Sequence, residues 1–390
     1  MKVTISVGGK FEAAYRWGRY LEDRGELERL VTTLPFFRVR HFGVSAGRTT
    51  SISMVGWWNY LIGRTRSRAV MRANQLGASA LFDRLASRRL GDCDVFNGWT
   101  SMALCSIRAA RSRGVPTILH TGSAHIAYQT ELLEEEYERY GEHGWQTHRG
   151  IVARTLEEYE EADAIVVPST FVLRTFADRA VDRQKLFLVP ETAVAATPQP
   201  TPYERASHEP PTILFVGRAE LRKGLPYLLD AFRKLGGAAR LRLVGEAPSA
   251  KLLERLGGLP AGVDVVGVQR GEALQQEFRR ADIVVLPSVE DGFGLAAAEA
   301  MAAGIAVIVS DHAGSADLID DGTNGLIVPA RNADALAEAM ERLLVDEELR
   351  RRLGVEARVA RRDRTWQHYG DDLHAVFSAV CGGTASPETR

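Results

Sequence analysis

The chain has 390 residues, 45% of them hydrophobic and 25% charged, with 36 Gly and 15 Pro. This composition excludes disordered and collagen-like architectures, and the length exceeds one ordinary core, so two domains are expected. Lys+Arg 49 against Asp+Glu 50 gives a formal net charge of -1, which excludes a wholesale nucleic-acid binder of the strongly basic type.

Taken in chain order, the opening MKVTISVGGKF holds an apolar run too short for a signal-peptide core. It predicts a strand over 3–7, followed by Gly8 and Gly9. Further short strands are expected at 94–96, 117–119, 164–167 and 186–189. Helical patterns run over 76–90, 130–140 and 147–162. Glu131, Glu134, Glu135, Glu136 and Glu138 read as a solvated helix face. The stretch 198–211, PQPTPYERASHEPP, is Pro-rich and polar, and marks the boundary between domains at 1–195 and 211–365, with a linker over 196–210. Beyond it, apolar strands at 213–217, 241–245, 263–267, 283–288, 306–310 and 326–329 alternate with helical segments. Strands apolar throughout are buried on both faces, so each half is predicted to be α/β: a doubly wound, Rossmann-like domain with a parallel sheet. A last helix over 365–380 carries Trp366, Tyr369, Leu373 and Phe377 on one stripe, suited to packing back on the first domain. Ligands of such sheets sit at the carboxyl ends of the strands, here in the cleft between two domains. No run approaches the ~20 apolar residues of a spanning helix. Cys93, Cys105 and Cys381 are odd in number and form no C-x-x-C, which fits a reducing cytoplasm.

Two segments carry chemistry. In 287–304, PSVEDGFGLAAAEAMAAG, a strand leads into the loop Asp291-Gly292-Phe293-Gly294 and then a helix beginning near Leu295. Free N–H groups at a helix start, with its positive dipole end, make an anion site. Asp291 and Glu299 accept hydrogen bonds from sugar and ribose hydroxyls, so the segment reads as a nucleotide-sugar site. In 215–224, FVGRAELRKG, Arg218 and Lys223 stand at the mouth of the same sheet, a planar fork and a point charge suited to a diphosphate.

These segments resemble those of retaining glycosyltransferases of the GT-B fold, family 4 (glycosyl transferases group 1). Gly217, Arg218, Lys223 and Gly224 match that family's G-R-x-x-x-x-K-G segment. Gly292, Phe293, Gly294, Glu299, Ala300, Met301, Ala302 and Gly304 match its acidic segment. One departure stands out: Asp291 replaces the usual first glutamate, with Glu290 beside it as a partial substitute or with the donor sugar drawn nearer the loop. The resemblance implies transfer of a sugar from a UDP- or GDP-linked donor, with retention, to a hydroxyl on a glycan, lipid-linked or small-molecule acceptor. It implies no cofactor and no metal, and a departing-phosphate oxygen as the taker of the acceptor proton. By the same resemblance His120, at a strand end, faces donor and acceptor, Gly9 lies near the diphosphate, and His125 is a lesser candidate. Arg218, Lys223, Asp291 and His120 are then the catalytic set. The base pocket is expected at 266–269, around Val268.

Competing readings are a nucleotide-sugar epimerase or a non-catalytic sugar-nucleotide-binding protein on the same fold. A nicotinamide oxidoreductase would want G-x-G-x-x-G after the first strand, which VGGKFEAAY lacks. Trp57, Trp58, Tyr60, Leu61 and Ile62 precede Arg64, Arg66, Arg68 and Arg72. Residues 57–72 therefore fit either a peripheral contact with an anionic membrane, at its inner face, or an ordinary amphipathic helix. The total charge hides a cancellation: residues 1–110 hold 17 Lys+Arg against 8 Asp+Glu, and the remaining 280 hold 32 against 42. A basic acceptor-side part set against an acidic remainder suits an anionic acceptor or membrane surface, but not nucleic acid.

Overall fold

A computed structural model describes residues 1–65, 68–142, 147–192, 210–361 and 365–383. The expected linker over 196–210 lies outside these residues except at position 210. Seven parallel strands form the first sheet: β1 (Val3–Val7), β2 (Leu27–Thr32), β3 (Thr49–Ser51), β4 (Val95–Trp99), β5 (Thr117–His120), β6 (Ala164–Val167) and β7 (Leu186–Leu188). Six parallel strands form the second: β8 (Thr212–Val216), β9 (Arg240–Val244), β10 (Val263–Gly267), β11 (Ile283–Leu286), β12 (Ala306–Ser310) and β13 (Leu326–Val328). The strand orders are β3-β2-β1-β4-β5-β6-β7 and β10-β9-β8-β11-β12-β13, so chain direction across each sheet reverses beside its first strand. Those reversals are the topological switch points where doubly wound sheets bind ligands.

The central strands β1, β4, β5, β6, β11 and β12 are buried along their whole length, as strands covered by helices on both faces must be. Two differences from the sequence pattern have plain causes. Strands β2 and β3 were not foreseen, because Glu28 and Arg29 interrupt the one and Thr-Thr-Ser makes up the other, a three-residue edge strand. Strand β10 is not buried on both faces: as the other sheet's edge it leaves Asp264 and Val265 exposed.

The helix Trp366–Cys381 crosses from the second domain to lie on the first. Its buried Tyr369, Leu373 and Phe377 join the core of β1, β4 and the helix Glu12–Asp23. Phe377 stands 5.0 Å from Trp17, and the Tyr20 hydroxyl donates to Asp371 at 2.6 Å. The glutamates of the helix Ile126–Arg139 are not simply solvated. Glu136 is fully buried, accepts from the Tyr227 hydroxyl at 3.0 Å and pairs with Arg331 at 2.9 Å, while Glu135 pairs with Arg331 at 2.7 Å. Tyr227 and Arg331 belong to the second domain, so this acidic face is a clasp between the domains.

Candidate active site

The two switch points face one another across a cavity of about 360 Å³. From the first domain come Lys10, Phe11, Glu12 and Ala13 after β1, Gly122 after β5 and Glu191 after β7. The second contributes Gly217 after β8, Lys223, and Asp291, Phe293, Gly294, Leu295 and Ala296 after β11. Trp366, at the start of the final helix, closes one side.

Backbone contacts hold the acidic loop in place. Val289 and Glu290 N–H groups donate to the Arg222 carbonyl at 2.9 and 3.3 Å, Asp291 N–H to the His312 carbonyl at 3.0 Å, and Gly314 N–H to the Asp291 carbonyl at 2.9 Å. The loop is thus strapped between the segment carrying Lys223 and the turn after β12. Glycine is required where these straps cross: a Cβ on Gly224, whose φ is +75°, would meet the Pro287 carbonyl oxygen at 1.9 Å. The strapping brings Lys223 Nζ to 2.5 Å from Asp291 Oδ2. Burial pushes the Asp291 carboxyl up, but Lys223 and Arg222 outweigh it and hold the group below its ordinary range. Asp291 is therefore ionised at neutral pH. The helix Leu295–Ala302 opens onto the cavity with Leu295 and Ala296, whose N–H groups lie in the first turn and lack intrahelical acceptors. A cation, a helix start and a paired carboxylate thus share one recess.

The remaining expected residues are placed as follows. Arg218 follows Gly217 at the carboxyl end of β8, half-exposed and 3.1 Å from Glu220, outside the cavity wall. Glu299 lies one turn into the helix Leu295–Ala302, does not line the cavity, and its side chain makes no hydrogen bond among the described residues. Burial, and then the charge of Glu12, push its carboxyl up to about 7. Val268 is exposed beyond the edge strand β10 and does not line the cavity. Gly292 packs against the first domain, where a Cβ would meet the Gly122 carbonyl oxygen at 2.1 Å, and its own carbonyl accepts from Ser169 Oγ at 2.8 Å.

Four expected residues lie elsewhere than in this cavity. Glu290 does not reach into the cavity: it is fully buried and accepts from Ala124 N–H and Gln129 Nε2, both at 2.9 Å, and from Arg222 Nε at 2.7 Å. Its two oxygens are occupied in joining the domains, so it is no substitute for Asp291. His120 lies on the face of the first sheet covered by the final helix, stacked on Trp99 at 4.4 Å and 6.3 Å from Phe377. Its Nδ1 is 2.7 Å from the Asn97 amide, its Nε2 is buried without a partner among the described residues, and burial lowers its pKa to about 3, so it is neutral and lies outside the cavity wall. Gly9 lines a different cavity, described next, although Lys10 beside it lines this one. His125 also lies outside the cavity wall, where it caps the helix Ile126–Arg139 by accepting from Ala127 N–H at 3.3 Å. Glu12 and Glu191 line the cavity without having been foreseen, since neither stands in a motif; only the position of Glu191 three residues beyond the end of β7 could have drawn notice.

The second cavity, about 390 Å³, lies within the first domain at the ends of β1 and β2. Gly8, Gly9, Val55, Phe82 and Met102 line it, with Arg38 as a cation and Trp57 and Tyr60 at its edge. The helix Ser53–Arg64 beside it leaves Met54, Trp57, Trp58, Tyr60 and Leu61 more than half exposed. Of the basic residues expected there, Arg66 and the side chain of Arg68 lie outside the described residues.

Comparison with known proteins agrees with this architecture. Residues 202–360 match the family model described as Glycosyl transferases group 1. An uncharacterised glycosyltransferase of Methanocaldococcus jannaschii is 38% identical over 139 residues, 34% of this chain and 36% of that protein. A D-inositol 3-phosphate glycosyltransferase of Nocardia farcinica is 30% identical over 241 residues, 56% of this chain and 53% of its own. The chain thus spans between about a third and a half of these two relatives, at 36% and 53%. Among solved structures, the Anabaena protein HepE in complex with UDP superposes with a TM-score of 0.69 at 14% identity, covering 97% of this chain and all of that one. At that identity the likeness establishes the fold, two Rossmann-like domains in the GT-B arrangement.

Proposed function

We propose that the chain is a glycosyltransferase that moves a sugar, with retention and without a metal, from a nucleoside-diphosphate sugar to a hydroxyl acceptor. The observation that carries this reading is the cavity between the switch points, where Lys223, Asp291 and the start of the helix Leu295–Ala302 converge within the segment matching the group 1 model. In such a transfer the departing diphosphate gains negative charge. In this reading Lys223 and the helix N–H groups stabilise it, with Arg218 as a further cation at the mouth, and preorganised electrostatics of this kind is usually the largest catalytic term. Displaced from Lys223 by the diphosphate, the Asp291 carboxylate is free to accept a hydrogen bond from a donor-sugar hydroxyl. Glu299 takes the ribose diol, and the edge around Val268 takes the base, uracil or guanine.

The acceptor side of the proposal rests on the cavity in the first domain. Its apolar wall, Arg38 and the excess of basic residues over 1–110 suit an anionic hydroxyl compound. The Nocardia relative is named for an inositol phosphate, which has that character. The exposed aromatics of the helix Ser53–Arg64, with Arg64 and Arg72 nearby in sequence, extend the proposal to a peripheral contact with an anionic membrane on the cytoplasmic side. No helix among the described residues is long and apolar enough to cross a membrane.

Release of UDP or GDP from a panel of UDP- and GDP-sugars, with and without chelator, tests the enzymatic reading; a chain that turns over none of them is not this enzyme. Release of an epimerised nucleotide sugar instead would favour an epimerase. Co-sedimentation with phosphatidylserine vesicles at low salt tests the membrane contact, and a chain that stays in the supernatant refutes it.

A further inference from the structure

One carboxyl group in the cavity wall has no counter-ion. Glu191 stands on the connection leaving the first domain, and the chain is anchored on both sides of it. Before it, Val189 is buried and its N–H donates to the Val167 carbonyl at 3.0 Å; after it, buried Thr192 accepts from Arg361 Nη2 at 2.9 Å. Glu191 lines the cavity, and its side chain makes no hydrogen bond and no ion pair among the described residues. The other carboxylates of the wall each have a cation: Asp291 has Lys223 at 2.5 Å, and Glu12 has Arg16 at 3.0 Å. Lys10 is the remaining charged group of the wall. Beyond it, Arg222 is held by Glu290 at 2.7 Å, and Glu299 lies within the field of Glu12.

A diphosphate that draws Lys223 away from Asp291 adds its own negative charge beside Asp291 and Glu191. An ionised Glu191 opposes that charge, whereas a neutral one does not and carries an O–H to donate. We propose that Glu191 binds the donor as a neutral carboxylic acid, taking one proton from solvent as the nucleotide enters and donating its O–H to a diphosphate oxygen. This role rests on the reading of the cavity as the donor site. Burial among like charges favours the protonated form of a carboxyl group, and a carboxylic acid kept neutral in this way serves as a hydrogen-bond donor to developing negative charge. As the bond from the anomeric carbon to the diphosphate breaks, the diphosphate oxygens gain charge and the hydrogen bond strengthens. The proton stays on Glu191 throughout, so the acceptor proton goes to the departing-phosphate oxygen.

Burial, then Asp291, then Glu12 push the Glu191 carboxyl of the free chain up to about 7. A bound diphosphate pushes it further in the same direction. The protonated form binds the better, so nucleotide affinity is greatest below about 7 and weakens by up to tenfold per pH unit above it. At pH 8 a group that titrates near 7 is about nine-tenths ionised, so binding at that pH takes up close to one proton.

The test is calorimetric titration of UDP and of GDP into the full chain at pH 8, where the terminal phosphate of both nucleotides is already ionised. Titrations in HEPES and in Tris, whose ionisation enthalpies differ, count the protons exchanged. Wild type should take up ~0.5 to 1 proton per nucleotide bound. Glu191→Gln, with an amide N–H in place of the O–H, should take up fewer than ~0.2, bind about tenfold more tightly than wild type at pH 8, and match it within about twofold at pH 6. Glu299, raised to about 7 by burial and then Glu12, is the competing source of uptake, and Glu299→Gln should retain the uptake of wild type. Wild type that binds nucleotide without taking up a proton overturns the assignment, as does uptake unchanged in Glu191→Gln or abolished in Glu299→Gln. Weaker nucleotide binding by Glu191→Gln at pH 8 together with a lower Tm marks a structural role and also overturns it. Wild type that binds neither UDP nor GDP at either pH overturns the reading of the cavity itself.

Discussion

Replacing Gly292 by alanine should separate the two domains at the mouth of the cavity. The added Cβ would stand 2.1 Å from the Gly122 carbonyl oxygen, 2.6 Å from its carbon and 3.0 Å from Ser123 N, where ordinary contact begins at 3.4 Å. All three are backbone atoms, so no side chain can swing aside, and the loops must part by more than an ångström. Gly292 is not in the left-handed region, so the substitution adds contact without backbone strain. Parting the loops lengthens the Ser169 Oγ–Gly292 carbonyl bond, now 2.8 Å, and the Ala124 N–Glu290 bond, now 2.9 Å. Overpacking costs ~1–3 kcal/mol, and a weakened charge-assisted hydrogen bond about another 1 kcal/mol. The sum, about 2–4 kcal/mol, predicts a ~30- to 1000-fold loss in donor turnover, with both domains still folded. The control is Gly47→Ala, a position with no heavy atom within 4 Å. Turnover and small-angle scattering would be compared for the two variants. If Gly292→Ala matched Gly47→Ala in both, the contact between Gly292 and Gly122 would not exist in solution.

Three further outcomes are expected. Asp291→Asn should lower turnover by ~10- to 100-fold, the worth of one charge-assisted contact, while binding UDP or GDP no more weakly than wild type because a negative charge beside the diphosphate is removed. Weaker nucleotide binding in a calorimetric titration would contradict the division of labour between Asp291 and Lys223. The Glu299 carboxyl, raised to about 7 in the native chain, holds a proton that the unfolded chain has already released between the ordinary carboxylate range and about 7. Native stability therefore falls as pH rises through that window, and Glu299→Gln should raise Tm at pH 8 but not at pH 5; an equal shift at both pH values would show the carboxyl unperturbed. Phe377→Ala empties a fully buried site against Trp17 and should cost ~3–5 kcal/mol, seen as a lower Tm and as cleavage ahead of Trp366 in limited proteolysis. A resistant helix would mean it is not held by this contact.

The strands of the second domain were legible within two residues at either end, because buried parallel strands are apolar at every position and leave a continuous run. The same rule hid β2, where Glu28 and Arg29 fall within the strand, and overstated β10, whose apolar residues sit at a sheet edge. Motif spacing placed Lys223, Asp291, Phe293 and Gly294 at one recess, since both segments follow strands that are neighbours in the sheet. Side-chain direction was beyond its reach. His120 and Gly122 are two residues apart near one strand end, yet one is sealed under the final helix and the other lines the cavity. Glu290 and Asp291 are adjacent and point to different partners. The charged face of the helix Ile126–Arg139 looked solvated because a sequence shows which face is charged, not what covers it; here Arg331 and Tyr227 do. Glu191 carries no motif at all, and only the folded chain brings it to the cavity.

The proposed chemistry requires the cavity between the domains to be a nucleoside-diphosphate site. Calorimetric titration of UDP and of GDP into the full chain and into Lys223→Met decides this most directly. One of the two nucleotides should bind the wild type saturably at one site per chain, with at least about tenfold weaker binding once the Lys223 cation is gone. Absence of binding by both nucleotides, or equal binding by wild type and Lys223→Met, would contradict it.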